Sequence, residues 1–172
     1  TLRFLWTGAK PSLDNFSIAT RFSGLGLAAV DEGPGLTNFA GRIEGDARAG
    51  VFEIDSKQLE MNLPNLFREP LMGFDALQAH GRWQKTTRGR LFILDDAAFS
   101  NQDAAGTAKG RYELIPGHPG IIDLSAKLTR ADGKAVYRYL PKSIGDITVD
   151  WASQIVVAGY SDDVELVLRR DL

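Results

Sequence analysis

Two histidines, two pairs of adjacent aspartates and a cluster of basic residues are the groups in this sequence whose types could do chemistry. Asp95-Asp96 and Asp162-Asp163 would be the candidates for an acid/base pair. That chemistry needs two carboxylates flanking one substrate bond, and neighbours on a strand point to opposite faces, so turn and solvated-face roles fit them better. His80 sits next to Gly81 on the side opposite Leu77 and Trp83, an exposed position, and His118 lies in the turn sequence Pro116-Gly117-His118-Pro119-Gly120. Two distant histidines with no cysteine and no His-x-Glu companion make no metal site. No G-x-S-x-G elbow is present. Arg82, Lys85, Arg88 and Arg90 surround a hairpin tip and read as a solvated turn, with a contact to anionic phosphate groups as the minority reading. Gly24-Leu25-Gly26-Leu27-Ala28-Ala29 fits G-x-G-x-x-A, but a pyrophosphate needs the N-terminus of a long helix behind it. Asp31-Glu32-Gly33-Pro34-Gly35 breaks the chain first, so these glycines read as a strand-to-loop bend. The sequence implies no catalytic residue, no metal and no cofactor.

The elements that would have to position such groups are strands. The chain has 172 residues, enough for one domain with a core. Its 20 Lys+Arg against 22 Asp+Glu give no long-range case for nucleic acid. The absence of cysteine rules out disulfides and thiol nucleophiles. No apolar run approaches the roughly 18 residues of a membrane-spanning helix, and no signal peptide is evident. Neither end reads as capped, and the expectation is an excised piece of something longer.

Period-two alternation runs through most of the chain. Leu2 to Trp6 reads as a short strand; Phe16, Ile18, Thr20 and Phe22 alternate with polar or small residues. Phe39-Gly41-Ile43, Phe52-Ile54 and Leu59-Met61-Leu63 read as three successive strands. Pro64 and Pro70 then interrupt an apolar seam, with one helical turn expected at Asn65-Leu66-Phe67. Beyond it come Leu77-Ala79-Gly81-Trp83, then Leu91-Phe92-Ile93-Leu94, apolar on both faces and expected to be covered on both, then a short strand at Phe99. Strands at Thr107 to Tyr112 and Ile122 to Leu128 follow. Gly41-Arg42 and Gly81-Arg82 are 81 − 41 = 40 residues apart, and Gly110-Arg111 opens a third such stretch. A repeated hairpin unit is the reading, with units at roughly 36–63, 75–103 and 106–130 and a tail at 131–172. In the tail, Ala135 to Leu140 reads as a short helix, and Asp146 can cap another carrying Ile147, Trp151 and Ile155 with Gly159 as its stop. Val164, Leu166 and Leu168 make a last strand.

The predicted fold is mainly β: a curved, strongly twisted antiparallel meander, groove or taco-like, with one or two short helices near the C-terminus. Little helix precedes residue 131 to cover the apolar face. Left open, that face would exceed the roughly 300–600 Å² patch usual on a monomer, so the sheet must fold on itself or hold something apolar. The residues predicted to line the interior are Phe39, Ile43, Phe52, Ile54, Leu59, Met61, Leu77, Trp83, Leu91, Ile93, Tyr112, Ile122, Leu124 and Leu128; the plain alternative is ordinary core.

The order of motifs carries a family likeness. Gly41-Arg42-Ile43-Glu44-Gly45, Gly50 to Asp55, and Leu63-Pro64-Asn65-Leu66-Phe67-Arg68-Glu69-Pro70-Leu71 resemble the YhdP family of AsmA-like, TamB-related proteins. So do Asn101 to Gly106, Ile122-Asp123-Leu124-Ser125-Ala126, Tyr139-Leu140-Pro141, and the Trp151 segment with Gly159 followed by Val164 to Arg169. The resemblance implies a section of a large Gram-negative envelope protein, anchored in the inner membrane by an N-terminal helix and crossing the periplasm. Its implied role is to conduct phospholipids along an apolar β-groove toward the outer membrane, supporting the outer-membrane barrier. The implied partners are phospholipid acyl chains, with no nucleic acid, and the isolated fragment is expected to be monomeric or weakly self-associating. The family offers no catalytic residues. Two other classes remain open from the residues alone: a β-sandwich binding or adhesion module for carbohydrate or protein, and an enzyme of unrecognised type.

Overall fold

The computed structural model describes residues 3–6, 16–29, 34–64, 67–140 and 159–171. The alternating stretches form strands β1 (Arg3–Trp6), β2 (Phe16–Leu27), β3 (Gly35–Asp46), β4 (Ala49–Asn62), β5 (Leu71–Lys85), β6 (Arg90–Ser100), β7 (Ala104–Ile115) and β8 (His118–Asp132). A 3-10 helix (Gly133–Tyr139) follows, then β9 (Tyr160–Ser161) and β10 (Val164–Asp171). All belong to one antiparallel sheet in the order β1-β2-β3-β4-β5-β6-β7-β8-β10, with β9 paired to β8 beside β10. The sheet does not close into a barrel, and among the described residues there is no second sheet. The meander expected from the alternation is therefore present, and the described residues offer no second layer for the sandwich reading. The helix expected after Asp146 lies outside the described residues, as do Asn65 and Leu66. On either side of them, the Phe67 N–H donates to the Leu63 carbonyl at 3.2 Å.

Two expected strands, at Phe52-Ile54 and at Leu59-Met61, are one. β4 runs unbroken through Gln58, which takes a positive φ of 51°. Against β3 the register slips here: six residue steps of β4, Ile54 to Glu60, face four of β3, Gly41 to Thr37. Asn38 in β3 also has positive φ, 60°, and its side-chain amide donates to the Gln58 carbonyl at 3.1 Å. Ser56, fully buried, accepts from the Ala40 N–H at 2.9 Å and donates to the Ala40 carbonyl at 3.1 Å. Side chains thus replace the ladder where the backbones fall out of step, and a buried backbone group needs such a partner. The covered positions of β4 pass from 52, 54 and 56 to 59 and 61 across Gln58, while the pairing with β5 continues without a shift.

A second irregularity joins what read as two strands in β6. Between Leu94 and Ala97 the register shifts against both β5 and β7, leaving one residue of β6 in excess. Asp95 and Asp96 occupy this bulge and both are exposed on one face. The expectation that they point oppositely is corrected: period two fails across a bulge.

The sheet curls at the end holding the β3–β4, β5–β6 and β7–β8 turns. In a flat sheet β2 and β6 would lie four strand spacings apart, roughly 19 Å. Yet the Arg90 guanidinium at the start of β6 sits 6.0 Å from the Phe16 ring centre at the start of β2. The β3–β4 turn fills the gap. Ala47 donates its N–H to the Phe16 carbonyl, the Trp83 indole N–H donates to the Asp46 carbonyl at 2.9 Å, Lys85 N–H to the Arg48 carbonyl, and Arg90 to the Ala47 carbonyl at 3.1 Å. The turn is held by the Asp46 carboxylate, which accepts from the N–H groups of Arg48 and Ala49. Those backbone donors, Ala49 first, hold the Asp46 carboxyl below its ordinary range.

Candidate functional site

Antiparallel pairing places partners on the same face, so the register assigns every strand's side chains to one of two sides. One row reads Thr20, Ile43, Phe52, Gly81, Leu94, Gly110, Leu124, Leu168 from β2 to β10. Beside it run Phe22, Gly41, Ile54, Ala79, Ala97, Ala108, Ala126 and Leu166. On the far side lie Trp83, Phe92, Tyr112 and Ile122. The result is an apolar face continuous across eight strands. Its fully buried side chains are few; most of it is half-buried, with the curl of the sheet rather than a second layer providing the cover. Gly81 gives the Phe52 ring its place, since a Cβ there would overlap the ring.

Of the residues predicted for the interior, Ile43, Phe52, Ile54, Leu77, Trp83, Tyr112, Ile122, Leu124 and Leu128 share this face by register. Phe39 joins them through its ring contact with Phe22, centroids 4.9 Å apart. Leu59 and Met61 pair with Phe74 and Met72, and Phe74 meets Phe99 of the same face edge-on at 6.4 Å. Leu91 and Ile93 do not join them. They pair with Gln84 and Arg82 on the opposite face, and Phe92 and Leu94 take the positions beside Trp83 and Gly81. A run of four apolar residues has no phase of its own, and only the partner strand sets it. No second layer covers Leu91 and Ile93 among the described residues; neighbouring side chains leave them half-buried.

Apart from Leu91, Ile93 and Val51, the opposite face carries ion pairs, one along β3 and the others across strands. Arg42 meets Glu44 at 2.5 Å, Arg82 meets Asp95, Arg111 meets Asp123 at 3.3 Å, and His80 Nδ1 lies 2.9 Å from Asp96. Each arginine of the three Gly-Arg pairs thus has a carboxylate, while its glycine sits on the apolar side. Asp96, through its hydrogen bond and then its charge, raises the His80 pKa. Both side chains of this pair are largely exposed to solvent. His118 Nδ1 accepts from the Gly120 N–H at 2.9 Å, a structural role in the turn. No group of three metal-ligating side chains occurs among the described residues.

At the end opposite Trp83, a cavity of about 420 Å³ is lined by Leu59, Met72, Phe74, Glu69, Asp103 and Arg138, among others. Arg138 of the 3-10 helix bridges Glu69 at 2.8 Å and Asp103 at 2.7 Å. Burial works against its charge, but the two carboxylates outweigh it. The Tyr139 hydroxyl donates to Asp103 at 2.9 Å and accepts from the Asn101 amide at 2.9 Å. Burial first, with Asp103 adding, pushes the Tyr139 phenol up to about 12. This latch joins the seam, the β6–β7 turn and the helix; its partners are 35 to 69 residues apart, and no local motif announces it.

A family model described as YhdP protein matches residues 1–172. The chain belongs to the YhdP family. No curated protein and no solved structure matches it. Membership of the YhdP family suggests a bacterial envelope protein related to lipid transfer rather than to catalysis, in keeping with an open β-sheet that carries one apolar face. No helix among the described residues is long and apolar enough to cross a membrane.

Proposed function

We propose that this chain is a non-enzymatic section of a periplasmic groove, part of an inner-membrane-anchored protein, along which phospholipid acyl chains pass between the inner and outer membranes of Gram-negative bacteria. One observation carries the reading: the apolar face runs without interruption from β2 to β10 in an open sheet. Rows of a sheet run across its strands, so an apolar row is a track perpendicular to them. An acyl chain lying on it gains about 0.8 kcal/mol per CH₂ removed from water, and the face loses its own exposure at the same time. A charge on that track must be desolvated, at several kcal/mol, or must bring water with it.

The test uses two neighbours on β4 in the full-length protein. Ile54 lies on the apolar face and Glu53 on the polar one, opposite Ala79 and His80. Ile54→Asp is expected to abolish rescue of the outer-membrane barrier, and Glu53→Lys to leave rescue intact at matched protein level. Full rescue by Ile54→Asp removes the apolar face from the working part of the protein.

A further inference from the structure

The two rims of the sheet are held by different chemistry. At the Trp83 end the β3–β4 turn is bound through its backbone carbonyls, which carry no charge: the Trp83 indole N–H donates to Asp46 at 2.9 Å and the Lys85 N–H to Arg48 at 2.6 Å. At the seam end the closure is the 3-10 helix Gly133–Tyr139, and it is held by charge. Arg138 reaches Glu69 of the seam at 2.8 Å and Asp103 of the β6–β7 turn at 2.7 Å; its side chain is 37% exposed and that of Glu69 46%. Tyr137 and Tyr139 add hydrogen bonds to the same two carboxylates, Glu69 and Asp103 respectively. Among the described side chains of the helix only Ala135 is apolar and buried. Seven residues are long for a 3-10 helix, whose internal hydrogen bonds are poorly aligned. A segment with few buried apolar contacts and solvent-reached hydrogen bonds opens locally, well below the cost of global unfolding.

This closure borders the cavity of about 420 Å³. Arg138 and Tyr139 share its lining with Leu59, Met72 and Phe74. Leu59 is 1% exposed, and Phe74 meets Phe99 of the apolar face. The cavity is thus a side pocket of the apolar track, with the helix as part of its wall. We propose that the helix Gly133–Tyr139 is a lid on the seam rim, latched by Arg138, and that its release opens a lateral port through which an alkyl chain of a phospholipid enters or leaves the track. The passenger rests on the groove reading; the lid does not. Salt screens exposed ion pairs and barely touches hydrogen bonds to carbonyls, so screening loosens the seam rim and spares the Trp83 rim.

The lid is tested without lipid, in the full-length protein. Leu59→Cys and, as a milder change in the same lining, Met72→Cys are labelled with a maleimide and read at that residue by peptide mass spectrometry. Ala79→Cys, 3% exposed on the apolar face and outside the cavity, is the control. Labelling at 59 and 72 is expected to rise several-fold from about 0.05 to 0.5 M salt. Arg138→Met keeps the stem and removes both ion pairs. It should speed labelling roughly tenfold at low salt and flatten the salt response, with Ala79→Cys unmoved by either change. No acceleration, or equal acceleration at 79, overturns the lid. The port is tested by capture in cells. A benzophenone amino acid in place of Met72 should photo-crosslink phospholipid, and more of it with Arg138→Met, while the same probe in place of Ile54 captures equally in both backgrounds. Capture at 54 with none at 72 overturns the port and leaves the track standing; capture at neither overturns both.

Discussion

Ser56 and Tyr139 show what single residues contribute where backbone pairing runs out. The Ser56 hydroxyl answers both the N–H and the carbonyl of Ala40 in a site closed to water. Ser56→Ala leaves those groups without partners and should cost about 1–3 kcal/mol, read as a lower urea midpoint at unchanged slope. A loss below a few tenths would mean the strands re-register. This role was not legible beforehand: a serine on an apolar face looks like a mild defect until the register slip beside it is known. Tyr139 makes a different prediction. Its folded pKa, about 12, lies above the ordinary 10, so the stability it confers is complete below pH 10 and is lost as pH rises toward 12. Docking of the 3-10 helix should therefore loosen over that window, and Tyr139→Phe should lack this alkaline transition. Hydrogen exchange at Asn101–Asp103 followed against pH would detect it.

At the scale of the element, the bulges decide which residues face where. Strand identity was legible wherever apolar and polar residues alternate, as in Phe52 to Asp55 or Ile122 to Leu128. It failed at Gln58, where a positive φ and a slip against β3 imitate the end of a strand, at Asp95-Asp96, where an extra residue does the same, and at Leu91 to Leu94, where uniform apolarity conceals the phase. Pairing with β5 supplies the missing information, and a single sequence does not contain it. The β6 bulge yields a paired test. Deleting Asp95 leaves Leu94 and Ala97 facing inward on either side of Asp96, so the strand becomes regular and stability should change by about 1 kcal/mol or less. Deleting Ile93 instead turns Leu94 outward and Asp95 inward, which buries a carboxylate without a partner and should cost several kcal/mol. Thermal melts of the two deletions would separate them, and equal losses would refute the assignment of the bulge.

For the molecule as a whole, the meander and its single apolar face were legible because alternation is a property of each strand alone. The tight curl between β2 and β6 and the Glu69–Arg138–Asp103 latch were not, since both depend on groups brought together from distant parts of the chain. Apart from those bridging side chains and glancing contacts, each strand packs its backbone only against its hydrogen-bonded neighbours. A chain of nearest-neighbour contacts has the thermodynamics of a one-dimensional array, in which each strand's survival depends on the two beside it. Opening should then begin at the boundaries and advance inward strand by strand. Native-state amide exchange is expected to grade from slowest in β4 to β7, through β3 and β8 and then β2, to fastest in β1 and β10, with Ser56→Ala steepening the gradient toward β3 alone. Uniform protection across all strands would instead mark a single cooperative unit, with coupling carried through the curled interior.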